Sequence, residues 1–79
     1  MELTAEEIQK HYDAAMDSVN FINELNAGQH DERMTAEEKA DAIQRNVGHL
    51  EIQLEKSYYE GYDLQPFRDA VSAGKAYIG

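Results

Sequence analysis

The side chains of this 79-residue chain that could do chemistry are three histidines, sixteen carboxylates and five tyrosines, and it has no cysteine. A metal site needs three or four convergent ligands, and the helical pair spacing His-x-x-x-His is absent. His11, His30 and His49 are far apart in the sequence, and no glycine-rich phosphate loop or nucleophile-elbow serine accompanies them. The sequence therefore predicts no metal, no cofactor and no enzymatic activity.

Two pairs of carboxylates lie one helical turn apart, Asp13 with Asp17 and Glu51 with Glu55. Such a pair could transfer protons if a pocket raised one pKa, but nothing in the pattern indicates a pocket. With Glu24 they form acidic helix faces, which are typical of a solvated surface. Carboxylates that step along a helix can also imitate a row of phosphates and occupy the nucleic-acid-binding groove of another protein. Both interpretations stay open.

The charge balance limits the partners that the chain can bind. Sixteen Asp and Glu against seven Lys and Arg give a formal net charge of −9, and the basic residues are scattered singly. We therefore expect no direct binding to nucleic acid or anionic lipid, and a protein partner with a basic surface. No apolar run approaches the roughly 20 residues that cross a bilayer, and the first ten residues do not resemble a signal peptide. We expect a soluble protein without a membrane partner.

The apolar residues repeat at spacings of three and four over three segments, which predicts three helices at about 4–27, 35–60 and 63–78. The first two begin with the capping-box pattern T-x-x-E, at Thr4 and Thr35. The third contains Gly74 in its apolar stripe, where a neighbouring backbone could come close. Connections this short predict a single all-α domain over 1–79, a three-helix bundle made of a helical hairpin and a shorter third helix.

Apolar residues also lie away from the main stripes. Phe21 and Leu25 form a second seam on the first helix, and Gly48 and Ile52 lie on the far side of the central helix. Either another helix of the chain covers each seam, or the seams form an interface with a partner or a second copy of the chain. For Gly48 and Ile52 we expect the third helix to be the cover.

Three tyrosines, Tyr58, Tyr59 and Tyr62, lie where the second and third helices join. Rings at such a junction commonly cover the end of a small core and leave their hydroxyls in water. Tyrosine is also common in contact hot spots, because it supplies a large area at low entropic cost. The sequence leaves the choice open.

The segments RNVGHLEIQLEK and DLQPFRDAVSAGKAYIG resemble the C-terminal part of short, mostly uncharacterised open reading frames of tailed bacteriophages. The resemblance covers residues 35–79 and includes no diagnostic motif. It implies a phage accessory or virion-associated protein, located in the host cytoplasm or the virion, and it assigns no catalytic residue.

These observations predict a non-enzymatic, acidic protein-interaction protein that is structural or assembly-associated and able to form homo-oligomers. The alternative is an anti-CRISPR-like inhibitor of a host nucleic-acid-binding or defence protein, acting through its acidic faces. The predicted partner interface comprises Phe21, Leu25, Gly48, Ile52, Tyr58, Tyr59 and Tyr62. The predicted acidic face comprises Asp13, Asp17, Glu24, Glu51 and Glu55.

Overall fold

The computed structural model describes residues 2–78 and contains three helices, α1 (Ala5–Asn26), α2 (Ala36–Leu54) and α3 (Gln65–Ile78). Each helix packs against both others, so the predicted all-α three-helix arrangement is confirmed. The bundle is elongated, with principal extents of 42 × 21 × 19 Å.

The ends of α1 form as the sequence predicts. The Thr4 hydroxyl accepts the N–H of Glu7 at 3.1 Å, and the Thr4 N–H donates to the Glu7 carboxylate at 3.0 Å. That backbone hydrogen bond holds the pKa of Glu7 below its usual range. At the other end Gly28 adopts φ 81°, and the N–H groups of Gly28 and Gln29 donate to the carbonyls of Leu25 and Glu24, which is a Schellman motif.

The same capping box starts α2. Thr35 accepts the N–H of Glu38 at 3.1 Å and donates its own N–H to the Glu38 carboxylate at 2.8 Å. The pKa of Glu38 is lowered by that backbone hydrogen bond. At the start of α3, the Asp63 carboxylate accepts the N–H of Gln65 at 3.0 Å, and Pro66 occupies the first turn. The predicted helix starts are therefore close to those observed.

The predicted end of α2 near residue 60 is wrong, because the helix ends at Leu54. A helix continued to Tyr59 would carry this ring on the same face as Ile52, only about 20° away at 100° per residue. That face points away from the core. The turn after Leu54 instead places Tyr59 in the interior, where only 4% of its surface is exposed. Burial of the ring thus accounts for the early end of the helix.

The core runs along the middle of the bundle and joins all three helices. Its largest fully buried side chains are Ile22, Leu25, Ile43, Leu50 and Phe67.

Gly74 lets α3 approach α2 closely, as its place in the apolar stripe predicts. A Cβ built on Gly74 would lie 2.5 Å from Val47 Cγ2 and 3.1 Å from Ile43 Cγ2. The two helices pack at a separation that only glycine allows at this position.

Candidate protein-interaction surfaces

The second seam of α1 belongs largely to the core. Leu25 is fully buried, so its predicted place at a partner interface is wrong. Two turns earlier on the same face, Ser18 is buried and lies within hydrogen-bond distance of His49 on α2, with 3.1 Å between Oγ and Nδ1. Phe21 is half-buried, and His30 in the α1–α2 connection packs edge-on against its ring at 5.4 Å. This seam is therefore covered within the chain, with little left for a partner.

The far side of α2 is open. Ile52 exposes 54% of its surface, and a Cβ added to Gly48 would meet no atom within 4 Å. The expectation that α3 covers these two residues is wrong, because α3 packs on the opposite side of α2. We define the outward face of α2 as Asp41, Arg45, Gly48, Ile52 and Glu55, which lie within about 80° of one another around the helix. It combines one large exposed apolar side chain with two carboxylates and a guanidinium.

The C-terminal end of α3 also exposes apolar side chains, Tyr77 by 39% and Ile78 by 41%. Lys39 of α2 lies over the Tyr77 ring, with Nζ 5.4 Å from the ring centroid, and pairs with Asp31. The hydrogen bond to Asp31 raises the pKa of Lys39. The Lys39 ammonium therefore covers part of the Tyr77 ring. Within residues 2–78, no aromatic ring or cation covers Ile52 in this way.

Tyr59 is a core residue and its predicted role in a surface hot spot is wrong. Its hydroxyl donates to the buried Gln53 side chain at 2.6 Å, and its ring packs edge-on against Phe67 with 6.0 Å between centroids. Burial, followed by the neighbouring hydroxyl of Tyr58, raises the pKa of Tyr59 to about 12. The buried Gln53 is a polar core residue that the apolar pattern did not indicate.

Tyr58 and Tyr62 are half-buried and lie around this end of the core. The Tyr62 hydroxyl donates to the Gln9 side chain at 3.1 Å, which ties the α2–α3 connection to α1. The Tyr58 ring stacks on His11 with 5.7 Å between centroids. Both tyrosines therefore close the end of the core, and each keeps some surface in contact with solvent.

The acidic residues of α1 divide into two groups. Asp13 and Asp17 are exposed, and Asp13 accepts a hydrogen bond from Gln9 at 2.9 Å. Glu24 is half-buried and accepts from His30 Nε2 at 2.9 Å, while Arg33 donates to His30 Nδ1 at 2.7 Å. Glu24 therefore fixes the α1–α2 connection, and Asp13 and Asp17 remain as solvent-facing carboxylates.

The acidic residues of α2 differ in the same way. Glu51 pairs with Lys75 of α3 at 2.7 Å, on the exposed side of the α2–α3 contact. Glu55 follows the last helical residue, is exposed, and belongs to the outward face. The five predicted acidic residues do not form one free face, because they are divided between two helices and because Glu24 and Glu51 pair with His30 and Lys75.

A cleft of about 620 Å³ lies at the end of the bundle that contains the tyrosines. No pattern in the sequence indicated this cleft. It is lined by Glu2, Leu3, Ile8, Ser57, Tyr58 and Glu60. The turn that brings residues 57–60 beside the start of α1 cannot be read from local sequence.

Within residues 2–78, no group of three His, Asp or Glu side chains could hold a metal ion. None of the three described helices is long and apolar enough to cross a membrane. Three surfaces of the described residues are candidate interaction sites: the outward face of α2, the acidic face of α1 and the cleft. Comparison with known proteins adds no family, since no protein-family model, curated protein or solved structure matches the chain.

Proposed function

We propose that this protein is a non-enzymatic interaction module that docks through the outward face of α2 onto a protein partner with a basic surface. The proposal rests on the exposure of Ile52, which leaves 54% of its surface open to solvent. By contrast, the isoleucines and leucines of the core, Ile22, Leu25, Ile43 and Leu50, are fully buried. A single exposed isoleucine is common on protein surfaces, but Ile52 shares its helix face with the unpacked Gly48, and burying its side chain against a partner is favourable.

Gly48 supports the same face. Glycine within a helix costs about 0.8 to 1 kcal/mol relative to alanine. At Gly74 close packing of α2 on α3 accounts for that cost, but at Gly48 nothing within the chain lies close enough to require a glycine. A partner whose backbone approaches α2 at Gly48, one turn before Ile52, would supply the reason.

The charge of the chain supports a basic partner. Burying the exposed part of Ile52 contributes only about 1 kcal/mol, which is too little for a stable complex. The net charge of −9 supplies long-range attraction to a basic surface and a faster encounter, and on the outward face the exposed Asp41 and Glu55 outnumber the single cation Arg45. The last turn of α2 contains no basic residue, so a cation from the partner would also complement the negative end of the helix dipole.

The resemblance of residues 35–79 to phage reading frames supports a biological setting for the module. We propose that it is phage-encoded and structural or assembly-associated, and that it acts in the host cytoplasm or the virion. A second copy of the chain is one candidate partner, although two chains of the same negative charge repel each other at low salt.

The test is quantitative capture from bacterial lysate with matched variants. Ile52→Arg places a cation against the proposed basic partner, whereas Ile78→Arg makes the same change of charge and size at another exposed isoleucine. We expect Ile52→Arg to lower the yield of the wild-type partner at least tenfold and Ile78→Arg to leave it unchanged. Equal capture by the two variants would exclude the outward face of α2. A wild-type dimer that Ile52→Arg dissociates would identify the partner as a second copy.

A second candidate function rests on the acidic face of α1. Glu6, Asp13 and Asp17 are exposed on the side of α1 opposite its core stripe, and none of them forms an ion pair within residues 2–78. An inhibitor that mimics nucleic acid would use these carboxylates to occupy a basic groove of a host nucleic-acid-binding or defence protein.

The two candidates differ in their sensitivity to charge. For the mimic, Asp13→Asn with Asp17→Asn should weaken capture, and double-stranded DNA should compete for the partner. For the docking module, this double variant should retain the partner, and Ile52→Arg should lose it. Competition by DNA and the amount of partner captured by the two variants therefore show which surface binds the partner.

A further inference from the structure

We propose that the cleft between the start of α1 and the α2–α3 connection binds an arginine side chain presented by the basic partner. The inference deepens the proposed function and rests on it, because it takes the partner to be a basic protein. It concerns a separate surface, however, so the cleft and the outward face of α2 can be tested independently.

The cleft is assembled from three parts of the chain. Glu2 and Leu3 precede α1, Ile8 lies in its second turn, and Ser57, Tyr58 and Glu60 come from the α2–α3 connection. Its volume of about 620 Å³ lies within the range of small-ligand sites, and it is open to solvent along one side. A single extended side chain can enter it from a partner's surface.

The residues that line the cleft suit both the aliphatic chain and the guanidinium group of an arginine. Leu3 and Ile8 are half-buried and offer an apolar wall for the three methylene groups of the side chain. Glu2 and Glu60 are exposed carboxylates that line the same cleft and can accept hydrogen bonds from a guanidinium. Tyr58 adds an aromatic surface, on which a guanidinium stacks better than an ammonium does.

The aromatic part of the site is ordered before any ligand arrives. The Tyr58 ring stacks on His11 and packs edge-on against the buried Tyr59, with 4.8 Å between the two tyrosine centroids. Its hydroxyl also lies 3.4 Å from the Gln53 side chain. Because the ring is already held on these sides, binding would not have to immobilise it.

The positive end of the α1 dipole lies close to the cleft and by itself opposes a cation. The first turn of α1 contains Glu6 and Glu7, whose negative charges offset this effect. Glu7 is held in its charged form by the Thr4 backbone N–H, which lowers its pKa. The helix dipole at the start of α1 is therefore offset by the carboxylates of its own first turn.

The test uses the peptide acetyl-Gly-Arg-Gly-amide and its citrulline counterpart, which has nearly the same shape and no charge. Titration of the ¹⁵N-labelled protein should give saturable amide shifts at Leu3, Ile8 and Tyr58 with the arginine peptide, in the millimolar range. The citrulline peptide should give none. The double variant Glu2→Gln with Glu60→Gln should weaken binding about fivefold or more, as expected for two exposed ion pairs. Glu32→Gln with Glu37→Gln removes the same charge from exposed positions at the other end of the bundle and should leave binding unchanged.

Three results would overturn the inference: equal shifts with citrulline, shifts spread over the acidic surface of α1, or no shifts at all. Equal binding of a lysine peptide would also overturn the preference for arginine. Tyr58→Leu retains an apolar wall and should reduce binding, and its thermal melt separates loss of the site from loss of the fold. If the arginine peptide binds the cleft but Ile52→Arg does not reduce capture from lysate, the arginine site is supported and the proposed docking role of the outward face of α2 is excluded.

Discussion

Leu25 of α1 is fully buried, whereas Ile52 of α2 exposes 54% of its surface, although each lies off the main apolar stripe of its helix. The angular offset from the stripe accounts for the difference. From the centre of the α1 stripe, Leu25 lies about 100° away and Phe21 about 140° away; that stripe comprises Ile8, Tyr12, Ala15, Val19 and Ile22. Ile52 lies about 160° from the centre of the α2 stripe, which comprises Ala36, Ala40, Ile43, Val47, Leu50 and Leu54. A helix that packs between two neighbours can bury side chains to about 100° on one side of its stripe, while a residue opposite the stripe stays exposed.

Phe21 shows what happens between these limits. It packs against the edge of the core, and the α1–α2 connection places His30 against its ring, which leaves Phe21 half-buried. The central helix has no such loop on its outward face. An apolar residue away from the stripe therefore indicates an interaction surface only when both its angle and the local connections leave it open.

The largest expected effect comes from truncating the two side chains under comparison. Leu25→Ala should lower the free energy of unfolding by about 2 to 5 kcal/mol, because it empties a site in the core. Ile52→Ala should change it by no more than about 0.5 kcal/mol. Urea denaturation of both variants measures this difference. Similar losses for the two variants would contradict the assigned burial.

The two helical glycines, one packed and one open, should give changes in stability of opposite sign when each is replaced by alanine. Gly74→Ala places a Cβ 2.5 Å from Val47 Cγ2, and the stiff valine side chain cannot easily move away. We expect a net loss of about 1 to 2 kcal/mol, after the gain in helix propensity is included. Gly48→Ala meets nothing within 4 Å and should stabilise the free protein by about 0.8 to 1 kcal/mol. Thermal melts of the two variants should therefore shift in opposite directions, and a shared direction would show that the close α2–α3 contact is absent.

Tyr59 and Tyr62 extend the comparison to polar groups. Tyr59→Phe removes the hydroxyl that donates to the buried Gln53 side chain and should cost about 1 to 2 kcal/mol. Tyr62→Phe removes an exposed hydrogen bond to Gln9 and should cost less than about 0.5 kcal/mol. Urea denaturation at neutral pH measures both, and a larger loss for Tyr62→Phe would reverse the assignment of the core tyrosine.

The raised pKa of Tyr59 predicts a loss of stability at alkaline pH. The phenol is neutral in both states below its ordinary pKa of 10.0, so it gives no pH dependence there. Between pH 10 and about 12 the unfolded chain releases this proton while the folded protein retains it, and stability falls as pH rises. Tyr59→Phe should remove this part of the decline. An unchanged alkaline slope in the variant would show that Tyr59 does not contribute to it.

The smallest expected effect concerns the capping boxes. Glu7 and Glu38 have lowered pKa values, so their contribution to stability is present above the ordinary pKa of 4.5 and is lost as pH falls through the lower folded value. Glu7→Gln with Glu38→Gln keeps a hydrogen-bond acceptor and removes the titration. Acid unfolding of this variant should show a slightly shallower pH dependence. The control, Asp13→Asn with Asp17→Asn, removes two charges without touching a cap.

The local features of the fold could be predicted from sequence because they depend on neighbours along the chain. The capping boxes at Thr4 and Thr35, the glycine cap at Gly28 and the close approach at Gly74 all follow from spacing and residue type. The end of α2 could not be predicted in this way, because it depends on the burial of Tyr59 against residues distant in the sequence.

The candidate surfaces were only partly predictable for the same reason. Ile52 was recognised by its angle on the helix, but the sequence did not show whether α3 would cover it. The cleft depends on a turn that brings Glu60 and Tyr58 beside Leu3, and no local pattern encodes that proximity. The identity of the partner depends on a second molecule and stays a prediction.

The most direct test of the central claim is hydroxyl-radical footprinting of the free protein and of the complex captured from lysate, with residue-level oxidation read by mass spectrometry. In the free protein we expect rapid oxidation of Ile52 and protection of Leu25, and in the complex we expect both to be protected while Ile78 stays reactive. Equal oxidation of Leu25 and Ile52 in the free protein, or an Ile52 as reactive in the complex as in the free protein, would contradict the account.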